Sequence, residues 1–166
     1  LLGAGNGLIH AFEQSSSDRA LNSMRIYPGS TTKSYDGLKE DRYIQLDNRD
    51  MKDTEELFTD YIVNAGATVQ QGSVNISYGN QYVNSSLMGV YPNYTEVEAV
   101  KITEGRFFNT NDLKERRKVI VLHEKSVEVL YKEQPAIGTF VNAGGIVYQV
   151  VGIYEDSGSS NSQSAY

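Results

Sequence analysis

Cysteine is absent from the 166 residues, and its absence excludes disulfides, thiolate zinc sites and cysteine nucleophiles. Tryptophan is absent too, and histidine occurs twice, at His10 and His123. A metal centre normally needs three or four convergent ligands, so two isolated histidines argue for structural or solvated roles. Long apolar runs are missing: the longest is Val119-Ile120-Val121-Leu122, whereas a membrane span needs about 20 residues. No crossing of a bilayer is expected within these residues, and no basic segment followed by an apolar one marks a signal peptide. Basic charge is also in short supply. Fifteen Lys+Arg against 21 Asp+Glu give a net charge of −6, which argues against a nucleic-acid partner.

What is present points to a globular chain rich in sheet and turns. Hydrophobic residues make up 39% and charged residues 22%, a composition that can bury a core. Twelve Tyr and 15 Gly favour strands joined by turns over a helix bundle. The chain starts at Leu1-Leu2 without Met and reaches Tyr166 through a Ser-rich stretch, the pattern expected of a piece of a longer polypeptide.

Periodicity gives the elements. Leu8 and Phe12 at i, i+4 predict an N-terminal helix over residues 1–20. A strand is expected at 23–27, stopped by Pro28-Gly29, then a loop over 29–41 and an extended piece at 42–46. Asp53-Thr54-Glu55-Glu56 predicts a helix start, followed by the pairs Leu57/Tyr61 and Phe58/Ile62, with Gly66 as the end cap. Val74, Ile76 and Tyr78 then alternate with polar residues. Gly79-Asn80 predicts a tight hairpin turn with a return strand over 81–90. A short helical turn opens at Thr95, a brief strand lies at 101–103, and one helical turn is expected within 111–117. The β-branched run 118–122 predicts a strand buried on both faces. A helix over 124–131 should turn Val127 and Leu130 or Tyr131 inward. Two strands, 138–142 and 146–155, are joined by Ala143-Gly144-Gly145, and 157–164 is expected to be loop or linker. The class is α+β.

No constellation carries an enzymatic reading. Gly3-Ala4-Gly5-Asn6-Gly7 has neither a preceding strand nor the Lys-Ser/Thr of a phosphate loop. Asp47, Asp50 and Asp53, at spacing three, fit a helix start stabilised by the dipole better than a cation site. Lys114-Glu115-Arg116-Arg117-Lys118, the basic run of the chain, reads as a solvated turn before a buried strand, or as a contact for anionic lipid headgroups. The sequons at Asn75, Asn84 and Asn93 arise readily in a chain rich in Asn and Ser. No catalytic residue, cofactor or metal is expected. Tyr78, Tyr82, Tyr91 and Tyr94 offer an alternative from another class, an aromatic platform in a secreted or surface ligand-binding domain, set against simple alternation of strand faces.

An ordered set of motifs does carry a resemblance. Leu1-Leu2-Gly3-Ala4-Gly5-Asn6-Gly7-Leu8 and Ile26-Tyr27-Pro28-Gly29 are followed by Gly89-Val90-Tyr91-Pro92-Asn93-Tyr94 and Glu104-Gly105-Arg106-Phe107-Phe108. Val119-Ile120-Val121-Leu122, Gly138 and Val150-Val151-Gly152-Ile153 complete the set. Together they resemble the extracytoplasmic core domain of MacB/FtsX-like ABC-transporter permeases over nearly the whole chain. The resemblance implies a periplasmic domain between the first two membrane helices of an inner-membrane protein. It implies two subdomains: an α/β part split across the domain, whose second half is not in this sequence, and an inserted β-rich part. On this sequence the divisions fall at 1–20 (membrane-proximal helix), 21–84 (first half of the α/β part), 85–156 (inserted part) and 157–166 (returning linker). It further implies a non-enzymatic coupling role in efflux or export. A separate cytoplasmic ATPase would use the ATP, and a periplasmic adaptor, an outer-membrane channel and a second copy would be the partners. The partner-facing surface would be the inserted part around Phe107, Phe108, Asn111 and Lys114.

Overall fold

The computed structural model describes residues 23–98, 100–155 and 164–166, so the expected N-terminal helix, its glycine-rich start and His10 lie outside the described residues. Two compact units divide at Ala67/Thr68.

The unit of residues 22–67 is built on helix α1 (Asn48–Leu57). Its cap is Asp47, not Asp53. The Asp47 carboxylate accepts the N–H groups of Arg49 (2.6 Å) and Asp50 (3.4 Å), while Asp50 reaches back to the Asp47 N–H at 2.6 Å. This reciprocal box satisfies the free donors of the first turn, so Asp53 falls inside the helix. The helix stops at Leu57, and Gly66 is not in the left-handed region. Residues 23–27 form no strand: Met24, Ile26 and Tyr27 are exposed, and no strand among the described residues pairs with them. A β-favouring sequence without a partner has no ladder to join. Residues 29–44 fold back on themselves about Asp36-Gly37, both with positive φ. Thr31 N–H donates to Arg42 O at 2.9 Å and Ile44 N–H to Gly29 O at 2.8 Å.

The second unit is a mixed sheet of seven strands: β1 (Thr68–Tyr78), β2 (Gln81–Val90), β3 (Lys101–Gly105), β4 (Val119–His123), β5 (Phe140–Ala143), β6 (Ile146–Glu155) and β7 (Ser164–Ala165). Helices α2 (Tyr94–Glu98), α3 (Thr110–Lys114) and α4 (Glu124–Tyr131) connect them. The Gly79-Asn80 turn joins β1 to β2, with Tyr78 opposite Gln81 and positive φ at Gly79. Gly144 and Gly145, both at positive φ, turn β5 into β6. These match the expected hairpins. The expected division between residues 84 and 85 falls in the middle of β2, which pairs with β1 along its whole length; both strands of the hairpin lie in the unit that holds Thr68–Tyr166.

The sheet closes on itself. Strand β6 takes β5 and then β3 along one edge and β4 along the other; β5 continues to β1, β2 and β7. Beyond β7, Tyr166 exchanges both backbone hydrogen bonds with Val121 of β4 (2.8 and 3.0 Å), which completes the ring. Within the expected linker, residues 164–166 therefore close the sheet. Inside lie Ile76, Ile120, Leu122, Val141, Val150 and Ile153. Helix α4 adds Leu130 and Tyr131, with Val127 packed beside them as the periodicity predicts. Every residue of β4 from Ile120 to His123 is buried, as a run of β-branched residues requires.

Candidate functional site

A bulge at Gly72 sets up the site. From Val74 to Tyr78 the even-numbered residues of β1 face the core opposite Ser85 and Val83. The register shifts between Gln71 and Ser73, so beyond it Val69 and Gln71 share the face of Gly89 and Leu87. Beside this switch, within the second unit, lies a cleft of about 420 Å³. Its walls are the ends of β1 and β2, the segment from Phe108 through α3 to Arg117, the start of β4, Tyr148 and Tyr166. Most lining groups are apolar, among them Val69, Leu87, Phe108, Leu113, Val119 and Ile120.

The wall carrying α3 is fixed by one buried carboxylate. Asp112 is 4% exposed. It receives both guanidinium nitrogens of Arg106, at 2.6 and 3.1 Å, and the Asn109 N–H at 3.0 Å. Arg117 approaches from the other side at 3.6 Å and pairs with Glu115 at 2.7 Å. The Arg106 hydrogen bonds hold the Asp112 carboxyl below the usual carboxylate range, with the Asn109 amide and the positive charges of Arg106 and Arg117 adding to them and burial opposing. Asn109 caps α3 by accepting the N–H groups of Asn111 and Asp112, both at 3.0 Å.

The glycine before the clamp has its own reason. A Cβ on Gly105, at φ +75°, would lie 2.3 Å from the Val151 carbonyl oxygen. One on Gly152, its cross-strand partner, would lie 2.2 Å from the Arg106 carbonyl oxygen. Two backbones can approach this closely only where both residues lack a side chain. In Glu104-Gly105-Arg106-Phe107-Phe108, glycine thus permits the crossing, Arg106 grips Asp112, Phe107 packs against Tyr166 and Phe108 lines the cleft.

Of the expected interface residues, Asn111 and Lys114 are exposed on α3, one turn apart. Phe107 and Phe108 are only half-exposed. Their rings meet at 4.7 Å, Phe107 stands edge-on to Tyr166 at 6.2 Å, and Phe108 lines the cleft. Phe107 therefore belongs to an aromatic cluster in which Tyr166 also touches Tyr94 (5.3 Å) and Tyr154 (4.9 Å). Burial, first of all, pushes the Tyr166 hydroxyl pKa up. The four expected platform tyrosines are not brought together. Tyr78 stacks on Tyr131 at 4.2 Å on the core face, whereas Tyr82, opposite Ser77, is exposed on the outer face. His123 is structural: its Nδ1 accepts the Lys125 N–H at 3.1 Å, and its ring stands edge-on to Tyr154. No group of three or more metal-ligating side chains occurs among the described residues, and no described helix is long and apolar enough to cross a membrane.

The family of MacB-like periplasmic core domains matches residues 1–166, the whole of the sequence. The chain belongs to that family. As a MacB-like core domain of an ABC-transporter permease it faces the periplasm. It is similar to the macrolide export ATP-binding/permease protein MacB of Wolinella succinogenes, 32% identical over 54% of this chain, and to that of Pasteurella multocida, 28% identical over 81%. The chain spans 14% and 20% of the length of these relatives. Two solved structures share the fold. The periplasmic region of MacB from Actinobacillus actinomycetemcomitans has a TM-score of 0.65 at 20% identity, over 82% of this chain and 61% of that one. The extracellular domain of the transporter YknZ, from Gram-positive bacteria, has 0.62 at 21%, over 72% and 60%. The MacB-like core domain thus keeps its α+β sheet here, with the Arg106–Asp112 clamp as its best-organised polar feature.

Residue order revealed the family, but not the cleft. Its walls come from five separate stretches of chain, and no local motif shows that they meet.

Proposed function

We propose that this MacB-like core domain is a non-enzymatic coupling module of an ABC-transporter permease. It passes the conformational change driven by ATP at a separate cytoplasmic ATPase to partners outside the membrane. Those partners are a periplasmic adaptor, an outer-membrane channel beyond it, and a second copy of the permease. The domain itself binds no cofactor. The observation that carries this reading is the clamp: α3, with Asn111 and Lys114 on its exposed face, is tied through Asp112 to Arg106 at the end of β3. A rigid shelf on a closed sheet transmits displacement without absorbing it, because packed interiors deform little.

The test is adaptor capture by the full transporter carrying Asn111→Ala with Lys114→Glu. Both residues are exposed, so folding is expected to be unchanged and capture to fall roughly tenfold. Phe140→Asp, on the exposed outer face of β5, is the comparison. Loss of capture by Phe140→Asp alone would place the contact on the outer sheet face and overturn the α3 assignment.

A further inference from the structure

We propose that the cleft between the bulged end of β1 and α3 is a binding site for a single amphipathic anion, a ligand with an acyl-like apolar body and one anionic head. The volume, about 420 Å³, falls within the range of small-molecule sites, and so does the pattern of an apolar wall with a few polar groups. Val69, Leu87, Phe108, Leu113 and Val119 supply a wall suited to a hydrocarbon chain.

The charge at the rim selects the head. Three of the lining side chains are charged: Asp112, Arg116 and Arg117. Asp112 is engaged by Arg106 and Arg117, and Glu115 by Arg117. Two lining cations face one lining anion, and Arg116 is the one of the two whose side chain has no ion pair or hydrogen bond among the described residues. Its backbone is held at φ +52°, just after α3, where the Arg117 N–H closes the turn on Asp112 O at 2.9 Å. Arg116 is exposed at the edge of the apolar wall, where its planar fork can make two charge-assisted hydrogen bonds to a carboxylate or phosphate. The sole basic run in an acidic chain thereby acquires a use that a solvated turn does not give it.

The experiment is calorimetric titration of the 166-residue chain with sodium dodecanoate below its micellar concentration. One saturable site is expected. Arg116→Gln should weaken it roughly tenfold or more, and dodecanol should bind more weakly by a similar factor. Leu113→Asp, at an exposed position, places a like charge against the acyl body and should also weaken binding. Lys118→Gln removes equal charge outside the cleft and should change nothing. A second arm measures co-sedimentation with phosphatidylglycerol vesicles. Arg116-dependent binding in the first arm assigns the anion to a soluble acyl compound, and in the second arm to a membrane lipid; either supports the site. Absence of binding in both arms, or binding that Arg116→Gln and Leu113→Asp leave unchanged, overturns it.

Discussion

Asp112 shows how much of this domain rests on one side chain. Its carboxylate satisfies the Arg106 fork and the Asn109 amide at once, and it does so buried, where an unpaired partner is costly. Because its pKa is lowered in the folded state, chiefly by Arg106, the native protein favours the ionised form. The sign follows from linkage. The contribution is fully present above the unfolded carboxylate value of about 3.9, and is lost as pH falls through the lower native value. Asp112→Asn keeps the shape and removes the charge. It is expected to cost about 1–3 kcal/mol at neutral pH. It should also flatten the stability profile below about pH 4 relative to the parent. Urea midpoints measured from pH 2.5 to 7 check both, and parallel profiles for the two proteins would deny Asp112 this role. Arg106→Lys should not rescue the parent behaviour, since an ammonium cannot make the paired contact.

Among the elements, those announced by local chemistry were legible, and those made by distant partners were not. The β1–β2 hairpin was readable because alternation flanks Gly79-Asn80. Helix α4 was readable because Val127, Leu130 and Tyr131 repeat at helical spacing. The start of α1 was misplaced because two acidic boxes follow one another, and only the backbone decides that Asp47 rather than Asp53 closes the first turn. The strand expected at 23–27 has the right residues and no neighbour. Strand β7 is two residues long and carries no pattern of its own; its place is set by β2 and by the Ser86–Ser164 hydroxyl contact at 2.8 Å. The hairpin gives a sharp test. Gly79 has φ +56° with open space around the site of a Cβ, so a side chain there meets strain but no clash. Gly79→Val is therefore expected to lower stability by about 1–3 kcal/mol without altering the sheet. An unchanged urea midpoint would show that the turn adopts another conformation.

Across the whole molecule, burial is unevenly distributed between the two units. No described residue within 23–67 is buried, and Leu57, Phe58, Tyr61 and Val63 of that unit are exposed. In the other unit Ile120, Val121, Leu122 and Val150 are fully enclosed, and β4 is hydrogen-bonded on both edges, to β6 and to Tyr166. Local opening free energies follow buried contacts, so the two units should exchange amide hydrogens on different scales. Peptides from β4 and β6 are expected to be protected at least about a hundredfold more than peptides from α1, a difference of roughly 3 kcal/mol. Brief proteolysis should cut within 23–67 first. Tyr166→Ala removes the aromatic contacts that anchor the closing strand, and it should bring β4 exchange closer to that of α1, whereas Tyr166→Phe should not. If β4 keeps its protection in Tyr166→Ala, ring closure through the last residues contributes nothing measurable, and β6 alone holds β4 in place.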